Sequence, residues 1–154
     1  MRTMNKKIVV VLLSFIFFTG CYGSRPELGI NNGQFMLCQK TPNCVNSQAT
    51  DEKHFIEPIH FIGERQGAQD RLLKILKNWK RTNIIVVQQN YIRVEFTSQI
   101  FRFVDDVEFY FPSAKAGKLT LHVRSASRVG HSDFGVNRKR IEQIRNQFHP
   151  ENNS

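Results

Sequence analysis

The densest group of polar side chains in the 154-residue sequence is the string RSASRVGHSDFGVNRKR at residues 124–140. It contains four arginines, three serines, one aspartate and one asparagine, and its two glycines predict a turn. The string leads from a predicted strand into a predicted helix, where helix N–H groups and guanidinium groups both favour a phosphate or a carboxylate. Together with two acids of the preceding strand, the candidate ligand-binding residues are Asp105, Asp106, Arg124, Ser125, Ser127, Arg128, Ser132, Asp133, Asn137, Arg138 and Arg140.

The same residues also allow a purely structural interpretation, in which Arg124 and Arg128 pair with the acids of residues 105–108 and the serines cap turns. In that case the sheet face that carries them is a solvated surface held by ion pairs between strands. Asn137 does not fit such a surface, because it lies four residues before Ile141 and therefore on the inward face of its helix.

Asp105 has the same strand parity as the phenylalanines at 101, 103 and 109, so a regular strand would bury its carboxylate. A buried carboxylate needs a positively charged partner. Arg128 or Arg140 is the favoured partner, because parity directs Arg124 to the opposite face. The alternative is a β-bulge at residues 105–106, which would return Asp105 to solvent.

Motifs of the common catalytic sites are missing from the sequence. The His-Ser-Asp run at 131–133 is contiguous, and adjacent residues on one turn cannot form the line of nucleophile, base and orienting acid. Cys44 with His54 or His60 would provide a thiol and a base, unless a disulfide blocks the thiol. No H-E-x-x-H, P-loop or dinucleotide-binding string occurs, and we expect neither a metal nor a cofactor.

The favoured functional interpretation is a non-enzymatic module that binds an anionic small molecule or an envelope protein. The alternative is a hydrolase-like enzyme for envelope carboxylate or phosphate compounds, with Asp105 and Asp106 as acid and base beside Arg124 and Arg128. A third interpretation is a structural module in which the polar cluster serves only the fold.

The N-terminus has the pattern of an export signal. Residues 1–7 include three basic side chains and no acid, and residues 8–18 are apolar except for Ser14. The small residues Thr19 and Gly20 then precede Cys21. The apolar run is too short to span a bilayer, which needs about 20 residues, and it fits the core of a signal peptide. The string F-T-G-C resembles the lipobox of bacterial lipoproteins, which implies lipid attachment at Cys21 and a membrane partner. Cleavage by the ordinary signal peptidase, without a lipid, is the alternative.

We therefore predict a signal peptide at 1–20 and an exported protein of the cell envelope. Tyr22 rather than aspartate follows the cysteine, which by resemblance to other lipoproteins indicates the periplasmic side of the outer membrane in a Gram-negative host. Loss of the three basic residues of the signal peptide lowers the net charge from +9 to +6. This charge favours anionic headgroups or cell-wall polymers, and export argues against nucleic acid as a partner.

Cys38 and Cys44 are the remaining cysteines, and in an oxidising compartment their spacing predicts a disulfide rather than two thiols or a metal site. The Gly/Asn-rich stretch before them has no periodicity and predicts a lipid-anchored tether over 21–36. A single domain should then occupy 37–149, followed by a disordered tail at 150–154.

Periodicity within the domain predicts an edge strand at 55–62, an amphipathic helix at 64–80, strands at 84–87, 91–98, 101–111 and 118–125, and a helix at about 134–148 capped by Ser132 or Asp133. Consecutive strands with short turns pair antiparallel, and both helices must cover the one apolar face. The predicted fold is therefore an α+β two-layer sandwich of order β-α-β-β-β-β-α. It has an antiparallel sheet of about five strands, with two helices on one face and the other face open.

Three strings in the sequence resemble a known family. TPNCVNSQA at 41–49, FRFVDDVEF at 101–109 and RSASRVGHSDFGVNRKRIEQIR at 124–145 are similar to the domain of unknown function 1499, which occurs in exported or membrane-associated proteins of bacteria and plastids. The resemblance covers about residues 37–148, and both Cys38 and Cys44 match cysteines of its pattern. It implies no particular reaction, substrate or cofactor.

Overall fold

The computed structural model describes residues 23–113 and 119–149. The predicted signal peptide, Cys21 and the predicted tail at 150–154 lie outside the described residues. The elements are β1 (Cys44–Asn46), β2 (Ile59–Phe61), α1 (Arg65–Asn78), β3 (Thr82–Val87), β4 (Tyr91–Thr97), β5 (Val104–Tyr110), β6 (Leu119–Ser127) and α2 (Val136–Phe148).

The six strands form one antiparallel sheet in the order β1-β6-β5-β4-β3, and β2 pairs with the other half of β6 on the same side as β1. This confirms the predicted α+β class with two helices and an antiparallel sheet. The three-residue strand β1 was not predicted, because so short a strand shows no alternation. β2 begins directly after Pro58, in agreement with the predicted edge position.

The two helices lie on one face of the sheet and share one core with it. α1 contributes Leu72, Ile75 and Leu76, which the helical period had placed on one side, while α2 contributes Ile141 and Ile144. Apolar side chains of the inward parity of β4, β5 and β6 complete this core. We call this side of the sheet the helix face and the opposite side the charged face.

Two local predictions were wrong. Phe101 and Phe103 are 68% and 44% exposed and stack on each other, because Arg102 adopts a left-handed φ of 58° and β5 begins only at Val104. The N-cap position of α2 is Gly135, with φ 78°, rather than Ser132 or Asp133, although the Asp133 carboxylate accepts the N–H of Asn137 in the first turn.

Residues 23–36, which were predicted as part of a tether, lie against the domain. Phe35 is buried and meets the Tyr110 ring edge-on with 6.3 Å between centroids. Gln48 fixes the segment by accepting a hydrogen bond from the Phe35 N–H and donating one to the Gly33 carbonyl. The segment contains only an isolated Asn31–Gln34 bridge, and this lack of regular structure explains why its sequence shows no periodicity.

Candidate functional site

The sheet divides the predicted polar cluster into two separate networks. Asp105 points to the helix face and Asp106 to the charged face, because the register of β4, β5 and β6 has no bulge at either residue. The bulge considered for residues 105–106 is therefore absent, and both carboxylates are buried.

The network on the helix face is closed. Arg140 donates to Asp105 Oδ2 at 2.5 Å and to Asn137 Oδ1 at 2.6 Å, and its guanidinium group lies 4.8 Å from the centre of the Phe96 ring. Asn137 also accepts a hydrogen bond from the buried Ser125 hydroxyl. Arg140 is thus the partner that strand parity required for Asp105, and this confirms one of the two alternatives.

The amide nitrogen of Asn137 extends this network toward the sheet edge. It donates to the Asn43 carbonyl and to Ser127 Oγ, both at 3.0 Å. Helix α2, β6 and the segment before β1 are joined in this way at one buried point. Because each of these polar groups has a partner, this network accounts for the fold without a ligand.

The network on the charged face is larger and joins three strands. Arg93 of β4 and Arg128 at the end of β6 both donate to the Asp106 carboxylate of β5, at 2.7 Å each for the closest contact. Arg128 also donates to Glu95, which receives a second arginine, Arg25, at 2.6 Å from the N-terminal segment. Residues 23–36 therefore supply a cation to a face that the sequence had predicted to be open.

A second ion pair lies beside this group. Arg124 Nη1 donates to Glu108 Oε2 at 2.8 Å, and the Tyr91 hydroxyl donates to Glu108 Oε1 at 2.8 Å. Glu108 is fully buried, and burial raises its pKa even though Arg124 acts to lower it. Burial and the neighbouring Glu108 also raise the pKa of the Tyr91 hydroxyl, so this hydroxyl remains a donor to the carboxylate.

Glu95 of the charged face has a lowered pKa. Burial acts to raise this pKa, but the hydrogen bonds from Arg25 and Arg128 outweigh it and hold it at about 2. The hydrogen bond to Asp106, and after it the one to Glu95, raise the pKa of Arg128. Glu95 and Arg128 are therefore both charged at neutral pH.

A cavity of about 290 Å³ lies between the N-terminal segment and the charged face. Its polar lining includes Arg124, Arg128 and Asp106 from the sheet and Asn43 from the segment before β1, and apolar side chains of residues 26–36 line the other side. Arg124 is nine-tenths buried, and its Nε has no hydrogen-bond partner among the described residues. A buried donor without an acceptor is uncommon in proteins and requires an explanation.

The predicted binding residues thus lie in different parts of the structure. Arg124, Ser127, Arg128 and Asp106 line the cavity, whereas Asp105, Ser125, Asn137 and Arg140 form the closed network on the helix face. Of the other three, Ser132 and Asp133 form hydrogen bonds within the loop before α2 and its first turn, while Arg138 extends from α2 to the loop between β1 and β2. Ser132 Oγ accepts the Phe134 N–H, Asp133 accepts the N–H groups of Gly135 and Asn137, and Arg138 donates to the Lys53 carbonyl.

Sequence reasoning missed the contribution of residues 23–36 to the site. Arg25 binds Glu95, and Ser24, Pro26, Leu28 and Met36 line the cavity, yet neither their spacing nor their composition indicates a contact with the sheet. Strand parity assigns many charges to one face, and this number was the only sign that a segment covers it. So many charges must either contact water or be covered by other polar groups.

The acid and base roles considered for Asp105 and Asp106 do not fit this geometry. The two carboxylates lie on opposite sides of the sheet and cannot act on one substrate. Cys44 is bonded to Cys38 in the predicted disulfide and offers no thiol. Within residues 23–113 and 119–149, no group of acids, histidines or cysteines could hold a metal, and no helix there is long and apolar enough to cross a bilayer.

Substitution of either aspartate should strongly destabilise the domain. We expect Asp105→Ala and Asp106→Ala each to lower the free energy of unfolding by about 3–5 kcal/mol, because each leaves a buried arginine without its carboxylate. In the matched control Glu142→Ala, a half-exposed pair with Arg145 is lost, and the decrease should be below about 1 kcal/mol. Chemical denaturation measures all three, and a small loss for either aspartate would contradict the burial described here.

Acid should weaken the domain through Glu95. The folded-state pKa of about 2 lies below the ordinary value of 4.5, so the stabilisation by this carboxylate is complete above pH 4.5 and is lost as the pH falls toward 2. Denaturation curves recorded over this pH range give the free energy of unfolding. This free energy should fall less steeply for Glu95→Gln than for the unmodified protein, with Arg25→Gln in between. Parallel declines of the unmodified protein and Glu95→Gln would contradict this assignment.

A comparison with protein-family models matches residues 34–148 to the family described as Protein of unknown function (DUF1499). The matched region contains the disulfide and both networks except Arg25, which precedes it together with most of the segment that covers the charged face. Searches of curated proteins and of solved structures found no significant match. Because the family model covers well over half of the chain, this protein belongs to the DUF1499 family.

Proposed function

We propose that this protein is an exported, lipid-anchored module that binds a small anionic molecule in the cavity between residues 23–36 and the charged face. The observation that carries the proposal is that Arg124 lines this cavity and that its buried Nε has no acceptor among the described residues. A phosphate or carboxylate oxygen would supply the acceptor that the described residues do not provide.

The energetics favour an anion over a neutral ligand. A buried donor without a partner costs about 1–3 kcal/mol, and a ligand that accepts from it recovers this free energy. Arg124 and Arg128 line the cavity. The ion pairs of the charged face together contain four arginines and three carboxylates, which are Arg25, Arg93, Arg124, Arg128, Glu95, Asp106 and Glu108. Hydrogen bonds between a guanidinium group and a phosphate or carboxylate are also about twice as strong as those between neutral groups.

The rest of the lining suits a small organic anion. Thr41, Asn43 and Ser127 place neutral polar groups beside the arginines, while Pro26, Leu28 and Met36 form an apolar wall. The volume of about 290 Å³ is close to the lower limit of small-molecule sites, which begin at about 300 Å³. A short phosphate ester or a small carboxylate is the ligand class that fits.

Anion binding predicts thermal stabilisation that depends on Arg124. Inorganic phosphate and glycerol phosphate should raise the melting temperature by several degrees at concentrations well above Kd, relative to sodium chloride of equal ionic strength. Arg124→Lys keeps the charge opposite Glu108 but removes the Nε donor, so this shift should disappear. The control Arg138→Lys should keep it, since Arg138 lies outside the cavity. A shift that Arg124→Lys leaves unchanged would contradict the proposal, and no shift at all would favour the purely structural role.

Anchoring is tested through Cys21. The charged start, the short apolar core and the F-T-G-C string support acylation of this cysteine, and two or more acyl chains hold a protein firmly on a membrane. Mature protein should partition into the detergent phase and carry an acyl mass, whereas Cys21→Ser should be neither processed at that residue nor acylated. In a Gram-negative host the mature protein should fractionate with the outer membrane. A mature protein without an acyl chain would contradict the anchor but not the anion site.

A further inference from the structure

Exposed apolar side chains are concentrated in the loops at one end of the sheet. The turn between β4 and β5 presents Ile100, Phe101 and Phe103, and the loop before α2 presents Phe134, which is 97% exposed. Backbone hydrogen bonds show that these loops share that end: the Thr97 N–H donates to the Arg81 carbonyl, and the Arg128 N–H donates to the Val104 carbonyl. We call residues 79–81, 98–103 and 128–135 the loop end.

The exposed charged side chains of the loop end are all basic. Lys80, Arg81 and Arg102 are exposed there. The single acid within these three loops is Asp133, whose carboxylate accepts the N–H groups of Gly135 and Asn137. Exposed aromatic and aliphatic side chains beside basic ones are typical of surfaces that rest on anionic lipid, where the apolar groups enter the headgroup layer.

The N-terminal segment begins at this same end. A Cβ atom on Gly23 would lie 3.1 Å from Arg128 Cβ and 3.2 Å from Val129 Cγ1, so the Gly23 backbone contacts the loop that follows β6. One residue, Tyr22, separates Cys21 from Gly23, so two residue steps of at most about 3.6 Å each join them. An acyl chain on Cys21 therefore leaves the domain within about 7 Å of Gly23.

We propose that the loop end docks onto the surface of an anionic bilayer, with Ile100, Phe101, Phe103 and Phe134 in the headgroup layer and the basic side chains against the lipid phosphates. The lipid on Cys21 and the loop end then hold the domain in one orientation. That orientation rests on the proposed anchoring at Cys21, whereas the contact of the loops with lipid does not.

Ile62 provides a matched control, because it is fully exposed and follows β2, which pairs with the start of β6 and so lies at the opposite end of the sheet. The chain contains one tryptophan, Trp79, which can be replaced by phenylalanine to leave a background without tryptophan fluorescence. Its ring packs edge-on against Phe96, and a phenylalanine keeps an aromatic ring in that contact.

The first experiment uses acylated mature protein in vesicles of phosphatidylglycerol and brominated phosphatidylcholine. With Trp79→Phe in both variants, the bromine should quench the tryptophan of Phe101→Trp several-fold more than that of Ile62→Trp. Equal quenching of the two positions, or stronger quenching at residue 62, would overturn the proposed orientation.

The second experiment measures vesicle binding by protein that has no lipid anchor. Protein that begins at residue 21 and carries Cys21→Ser keeps every described residue, and we expect it to sediment with vesicles of phosphatidylglycerol and phosphatidylcholine. Replacement of Phe101 and Phe103 by serine should weaken this binding about tenfold or more, because the transfer of each apolar ring is lost. Ile62→Ser should leave it unchanged. Equal binding by these variants, or no sedimentation of the parent, would overturn the docking surface, while an unacylated Cys21 in cells would refute only the anchor.

Discussion

Burial of charge on a β-sheet is the constraint on which the rest of this structure depends. Three carboxylates and three guanidinium groups of the charged face are nearly or fully removed from water, and each one forms an ion pair with another member of this set. Such a face requires an exact strand register, because a shift by one residue would place charges in the apolar core and apolar groups among the charges. It also requires a cover, and residues 23–36 provide one with Arg25 and Phe35.

The two adjacent aspartates of β5 illustrate how the fold uses this constraint. Asp105 binds Arg140 and so fixes helix α2 to the sheet, while Asp106 binds Arg93 and Arg128 and so fixes β4 and the end of β6 to β5. Buried ion pairs often add little net stability compared with apolar groups of similar size. Their value here lies in specificity, since few other arrangements would satisfy both carboxylates at once.

The two networks differ in how completely their buried polar groups are hydrogen-bonded. Around Asn137 the polar groups satisfy one another, and the network is part of the core. Around Arg124 one buried donor beside a cavity has no partner in the part of the chain that the structure describes, and one wall of that cavity is the segment that leads to Cys21. The segment that covers the proposed binding site and the proposed membrane anchor are therefore consecutive in the chain. This order would connect the membrane directly to the proposed site.

The sequence by itself determined the class of the fold, the helix periods, most strand parities, the disulfide and the need of Asp105 for an arginine. These features follow from local periodicity and from the high free energy of an unpaired buried charge. The tertiary structure decided which arginine that was, because the choice between Arg128 and Arg140 depends on which faces of the sheet and of α2 meet. It also decided that β5 starts after Phe103, where the left-handed backbone of Arg102 interrupts the alternation. Finally, it alone placed residues 23–36 on the charged face, because contacts made by a segment without regular structure leave no period in the sequence.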